Sequence, residues 1–68
     1  MKLKDFKSII YSRNGDMQSC IIYDVKNNID LEYGCSVEYA YEHYGDKEIH
    51  RIQSVFENGN AYLVFSIK

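Results

Sequence analysis

Few residues in this chain have side chains able to do covalent or metal chemistry: Cys20, Cys35, His43, His50 and a run of carboxylates through the middle. A thiol beside an imidazole makes a nucleophile, and two thiols with two imidazoles make a zinc site. The spacing argues against both. Zinc sites use compact ligand pairs such as C-x₂-C or H-x₃-H, whereas the histidines lie seven positions apart and the cysteines fifteen. There is no nucleophile elbow, P-loop or dinucleotide fingerprint. Gly15, Gly34, Gly45 and Gly59 fall singly at element ends, where backbone geometry accounts for them. The expectation is therefore no catalytic residue, no metal, no cofactor and no enzymatic activity.

A second constellation points to recognition. "SVEYAYEHYGDKE", residues 36 to 48, packs three tyrosines, four carboxylates and a histidine into thirteen positions. Read as a helix capped by Ser36, it places Val37, Ala40, Tyr41 and Tyr44 on one face as an i, i+3, i+4, i+7 stripe that Gly45 ends. Read as a strand, it sets Val37, Tyr39 and Tyr41 against Glu38, Ala40 and Glu42. The cap and the stop favour the helix, and two hairpins elsewhere need something to cover their sheet. The helix leaves Tyr39, Glu42, His43 and Asp46 outside, with Glu38 nearby. Tyrosine offers large, stiff contact area and carboxylates select basic partners; a solvated helix face is the plainer interpretation of the same residues.

Those residues must be positioned by the elements around them. Leu3, Phe6, Ile9 and Ile10 recur at helical spacing and predict an amphipathic helix over 2–12. Alternation from Met17 to Val25 and again through "IDLEY" predicts a hairpin joined at "KNN". A three-residue loop with Asn28 left-handed would pair Val25 with Ile29, Tyr23 with Leu31 and Ile21 with Tyr33. That register puts Cys20 and Cys35 on opposite faces, so they should not bond. It also sets Asp24 opposite Asp30 with Glu32 beside them, a second acidic patch in need of a cation, a basic partner or solvation. In the last third, "ENGN" predicts a two-residue Asn58-Gly59 turn that pairs Phe56 with Ala61, Ser54 with Leu63, Ile52 with Phe65 and His50 with Ile67. The reverse face then holds Val55 opposite Tyr62, Gln53 opposite Val64 and Arg51 opposite Ser66.

The fold expected is α+β, in the order α-β-β-α-β-β, a small, mostly antiparallel four-stranded sheet with short helices packed on one face. Sixty-eight residues make one domain, 1–68, too small to enclose a deep active site. Seven tyrosines with no tryptophan or proline shift the apolar content toward rings with a polar tip. No run approaches the roughly 20 apolar residues that span a bilayer, and "MKLKDFK" lacks the apolar stretch of a signal peptide. With two cysteines and no sign of secretion, a cytoplasmic location and free thiols are expected.

Net charge is −2 but unevenly placed: +3 over residues 1–13, −6 over 14–48 and +1 over 49–68. The acidic middle disfavours nucleic acid there and favours a basic protein surface. Lys2, Lys4, Lys7 and Arg13, together with Arg51, Gln53, Tyr62 and Val64, define the alternative of a small nucleic-acid- or ligand-binding regulator; the basic strand motif of RNA-stacking sheets is absent. Open strand edges would also allow a homodimer.

Abundant Lys, Ile, Asn and Tyr, the absence of Pro and the α-β-β-α-β-β outline resemble small cytosolic proteins of phages and mobile elements of AT-rich bacteria. Some of these are anti-CRISPR or other anti-defence inhibitors that bind a host enzyme through acidic, tyrosine-rich surfaces. The resemblance implies a phage-type inhibitor that occludes a basic surface of a host effector, and no site residue is carried over from it. The partner-binding residues expected from the sequence itself are Tyr39, Glu42, His43 and Asp46, with Asp24, Asp30 and Glu32 as the second patch.

Overall fold

A computed structural model describes residues 1–6 and 19–68. Leu3–Phe6 form a single 3-10 turn, followed in order by strands β1 (Ser19–Asp24) and β2 (Ile29–Ser36), helix α1 (Val37–Tyr44), and strands β3 (Ile49–Glu57) and β4 (Asn60–Ile67). The turn stands where the helix over 2–12 was expected to begin. The rest of that helix, with Lys7, Ile9 and Ile10, lies outside the described residues, as do Arg13 of the expected basic cluster and Met17 and Gln18 of the first expected strand.

The sheet is mixed, in the order β2-β1-β4-β3. Each hairpin is antiparallel, and the two join through a central parallel pair, β1 with β4, in which Ile21 partners Val64 and Ile22 partners Phe65. A central strand is covered on both faces, so it needs apolar residues consecutively rather than alternately. "SCIIYD" supplies them: Cys20, Ile21 and Ile22 are all buried. On one face Leu3, Cys20, Ile22, Val37, Ala40, Phe65 and Ile67 form the main core beneath α1. On the other, Ile21, Tyr62 and Val64 form a smaller cluster with Tyr23 and Val55 against it. There the Tyr33 ring lies 5.1 Å from that of Tyr62, and its hydroxyl donates to Glu57 Oε1 at 2.9 Å.

The β3–β4 hairpin forms in the register its sequence predicts for most of its length. Asn58 and Gly59 both take positive φ, 52° and 81°, as the two-residue turn requires. Phe56 pairs with Ala61, Ser54 with Leu63 and Ile52 with Phe65, and the reverse face matches as well. Only the far end departs: the register steps between Ile49 and Arg51, so Ile49 rather than His50 meets Ile67. The step puts an aliphatic side chain against the core, where Ile49 packs, and leaves the imidazole exposed.

The β1–β2 hairpin departs twice. Ile21 pairs with Tyr33 as expected, and Asn28 is left-handed with φ 56°. On either side of that pair β2 carries one extra residue, Gly34 and Leu31. Tyr23 therefore faces Asp30 and Asp24 faces Ile29, in place of the expected Tyr23–Leu31 and Val25–Ile29 pairs and the expected opposition of Asp24 to Asp30. Beyond Gly34, Cys20 stands directly opposite Cys35. The expectation that the cysteines occupy opposite faces is thus overturned, because a bulge residue flips the pleat for everything past it. Gly34 sits at φ +87°, a conformation that costs a side-chain-bearing residue about 1–2 kcal/mol.

The sheet edges are β2 and β3. The start of β3 is met by the chain's first residues: Ile49 N–H donates to the Met1 carbonyl at 2.8 Å, and the backbone of Lys2 pairs with that of Glu48 as an isolated antiparallel β-bridge. No helix among the described residues is long and apolar enough to cross a membrane.

Candidate functional site: the α1 ridge

Helix α1 begins where the sequence says it should. Ser36 keeps an extended backbone and its hydroxyl accepts a hydrogen bond from Tyr39 N–H at 3.0 Å. That satisfies one of the donors left orphaned in the first turn. Val37 and Ala40 are buried, and Tyr41 and Tyr44 pack half-buried against the same core. Gly45 ends the helix at a point of close approach: a Cβ built there would lie 2.4 Å from the Tyr41 carbonyl oxygen. The N-terminal turn passes over this end, with Lys4 N–H donating to the Gly45 carbonyl and Leu3 N–H to the Lys47 carbonyl, each at 2.9 Å.

The outward side of α1 carries Glu38, Tyr39, Glu42 and His43, all exposed. Tyr39 is fixed at two points. Its ring stacks on His43, with centroids 4.0 Å apart and planes inclined by 29°. Its hydroxyl donates to Glu32 Oε1 at 3.1 Å, and the Tyr44 hydroxyl donates to the same oxygen at 3.1 Å. Glu32 reaches the helix because it faces Ile22, which lies in the main core under α1. One strand carboxylate thus clasps two helix phenols. The hydrogen bond to the Glu32 carboxylate holds the Tyr39 phenol above its ordinary pKa, since ionisation would set two anions against each other. For Tyr44 burial is the main cause of a rise in the same direction, with Glu32 adding to it.

Of the residues named from the sequence, Tyr39, His43 and Glu32 are brought into one cluster. Glu42 lies next to them on α1 and, with Lys4, Glu38 and Tyr41, lines a shallow depression of about 310 Å³. Asp46 is exposed but paired, its Oδ1 accepting from Lys4 Nζ at 3.0 Å. This ammonium holds the Asp46 carboxyl below its usual value. Asp24 and Asp30 belong to the loop end of the first hairpin. There Asp24 is a turn-former: its carboxylate accepts from Lys26 N–H at 3.1 Å and from the Asn27 side-chain amide at 2.7 Å, and chiefly the latter lowers its pKa. The second patch is therefore divided, since Glu32 joins the helix and Asp24 is engaged in its own loop.

Two participants go beyond what the sequence pattern predicts. The helical stripe places Tyr44 wholly in the core, yet its hydroxyl reaches Glu32. The sequence groups Lys4 with a basic cluster, yet its ammonium pairs with Asp46. Neither shows in local pattern: the Tyr44–Glu32 contact depends on how α1 folds back over β2, the strand just before it, and Lys4 meets Asp46 from the far end of the chain.

Compared with family models, with curated proteins and with solved structures, the chain matches none of them.

Proposed function

We propose that this chain is a non-enzymatic protein-binding module whose α1 ridge, Tyr39 with His43, Glu42 and Glu38, takes up a basic surface of a partner protein. The observation that carries the reading is the two-point restraint of an exposed tyrosine, by the His43 stack and the Glu32 hydrogen bond. Binding an aromatic anchor ordinarily costs side-chain entropy, and a ring already held in place has less of it to lose. Aromatic side chains with few rotatable bonds dominate binding hot spots for that reason. Glu38 and Glu42 flank the ring with negative charge, which speeds encounter with a cationic surface and rejects an acidic one. A phage-type inhibitor that masks the nucleic-acid-binding surface of a host effector would use such a ridge.

The nucleic-acid alternative draws less support from the same geometry. Lys4 is ion-paired with Asp46, and on the outer sheet face Tyr62 and Val64 are buried, leaving Arg51 and Gln53 as its exposed members.

The test uses the full chain as bait in an extract of its native host, followed by affinity measurement with the captured protein. Tyr39→Ala is expected to weaken binding by about 30-fold or more, the scale of a hot-spot residue. Phe56→Ala removes a more exposed ring, 75% accessible, at the turn end of β3, and is expected to leave affinity unchanged. Equal loss from both variants, or loss from Phe56→Ala alone, counts against the ridge.

A further inference from the structure

Cys20 and Cys35 are the only cysteines in the sequence, and the bulge at Gly34 sets them directly opposite each other across β1 and β2. Directly opposed residues of an antiparallel pair have Cα atoms about 4.5–5.5 Å apart, inside the roughly 4.4–6.8 Å that a disulfide spans. Both side chains turn to the same face of the sheet. Cys20 is a fully buried member of the main core, and Cys35 packs half-buried against that core. Both are thiols. We propose that this pair is a dithiol modification site, which a low-molecular-weight disulfide converts to a reversible intramolecular Cys20–Cys35 disulfide. The proposal rests on register and core packing and is independent of the binding role given to α1.

The chemistry is two successive exchanges. Cys35, the more exposed thiol, loses its proton, and its thiolate attacks one sulfur of the small disulfide; the S–S bond breaks and one small thiolate leaves. Cys20, losing its proton in turn, attacks the Cys35 sulfur of the mixed disulfide and expels the second small thiolate. Two protein thiols are oxidised, one small disulfide is reduced to two thiols, and the two protons end on the departing thiolates. Excess small thiol drives the same steps backward.

The surroundings set the rate. Burial pushes the Cys20 thiol up to about 12, with the neighbouring Cys35 adding to the rise. Burial, and then the Glu32 carboxylate, raise that of Cys35. Little thiolate exists at neutral pH, so closure is slow there and speeds up about tenfold per pH unit while both thiols remain mostly protonated. The bond would tie edge strand β2 to central strand β1 just before Ser36 leads the chain into α1.

The experiment equilibrates the folded full chain in mixtures of oxidised and reduced glutathione, traps remaining thiols by alkylation and reads intact mass. The same titration in denaturing urea gives the reference, because an unfolded loop of this length brings its ends together at an effective concentration of order millimolar. The expected result is a monomer lighter by two hydrogens, with both thiols protected, and an effective concentration at least about tenfold above that of the urea-unfolded chain. A smaller ratio, a glutathione adduct persisting on Cys35, or a disulfide-linked dimer would overturn the proposal. Cys20→Ser is expected to keep the adduct on Cys35, marking it as the entry thiol. Should that variant not fold, the wild-type comparison between folded and unfolded chains decides alone.

Discussion

The two hairpins of this sheet have similar ingredients and different outcomes. Both are antiparallel, both lean on a central strand, and both turn through a left-handed asparagine, Asn28 in one and Asn58 in the other. The β3–β4 hairpin steps out of register once, near its open end, and otherwise follows its alternation. The β1–β2 hairpin steps twice, at Leu31 and Gly34, and those steps place Asp30 beside Tyr23 and Cys35 against Cys20. Between them lies Glu32, which meets the helix. Regular pairing builds the scaffold, while bulged pairing aims side chains: the bulged strand supplies the Glu32 that meets α1 and the Cys35 that faces Cys20.

That contrast can be broken at several points. The largest effect is expected from Phe65→Ala. Phe65 is fully buried on β4, pairing with Ile52 of one hairpin and Ile22 of the other. Truncation should cost about 3–5 kcal/mol by chemical denaturation. Amide exchange should show both hairpins losing protection together; separate loss would mean that they are independent units.

Gly34→Ala comes next. Apart from its chain neighbours, no atom of the described residues lies within 4 Å of the added Cβ, so the expected cost is that of the backbone conformation, about 1–2 kcal/mol. Gly59→Ala, at a similar positive φ, should cost a comparable amount. The difference is expected in register: cross-strand nuclear Overhauser contacts should keep Phe56 beside Ala61 in the Gly59 variant, whereas Cys20 and Cys35 should separate in a fraction of Gly34 variant molecules. Ser36→Ala, which removes the α1 cap, should cost about 1 kcal/mol in a denaturant titration.

The smallest effect concerns the loop of the bulged hairpin. The Asn27 side-chain amide, helped by the loop backbone, depresses the Asp24 pKa below its ordinary 3.8. A carboxyl depressed in the folded state adds stability above its unfolded pKa and loses it as pH falls through the folded value. Asn27→Ala should move the Asp24 carboxyl, followed by carbon NMR, back toward 3.8 and remove that part of the acid dependence. An unmoved titration would show that the loop backbone alone holds the charge.

How far the sequence could be followed depends on the range of the interaction. The Ser36 cap, the Gly45 stop and the Asn58-Gly59 turn are local, and each forms where residue type and spacing place it. The inward stripe Val37, Ala40, Tyr41 and Tyr44 is a periodicity, and periodicity survives folding. Bulges are different, because one extra residue in a strand leaves its composition unchanged and exchanges its faces. Gly34, expected at the end of an element, lies inside β2, and a glycine within a strand often marks a bulge. Parallel pairing of β1 with β4 and the Lys4–Asp46 ion pair join segments far apart in sequence, and the Glu32 clasp depends on how α1 folds back over the strand just before it. Of these, only the central place of β1 shows in local pattern, as the consecutive apolar run Cys20, Ile21 and Ile22.

The most direct measurement of the binding role is the salt dependence of affinity for the captured partner, compared between the wild-type chain and Glu42→Lys. Glu42 is exposed on α1, so reversing its charge leaves the core intact. If the ridge takes a basic surface, wild-type affinity falls as salt rises, and the variant binds more weakly at low salt with a flatter dependence. Equal affinity of the two chains at every salt concentration would contradict the account.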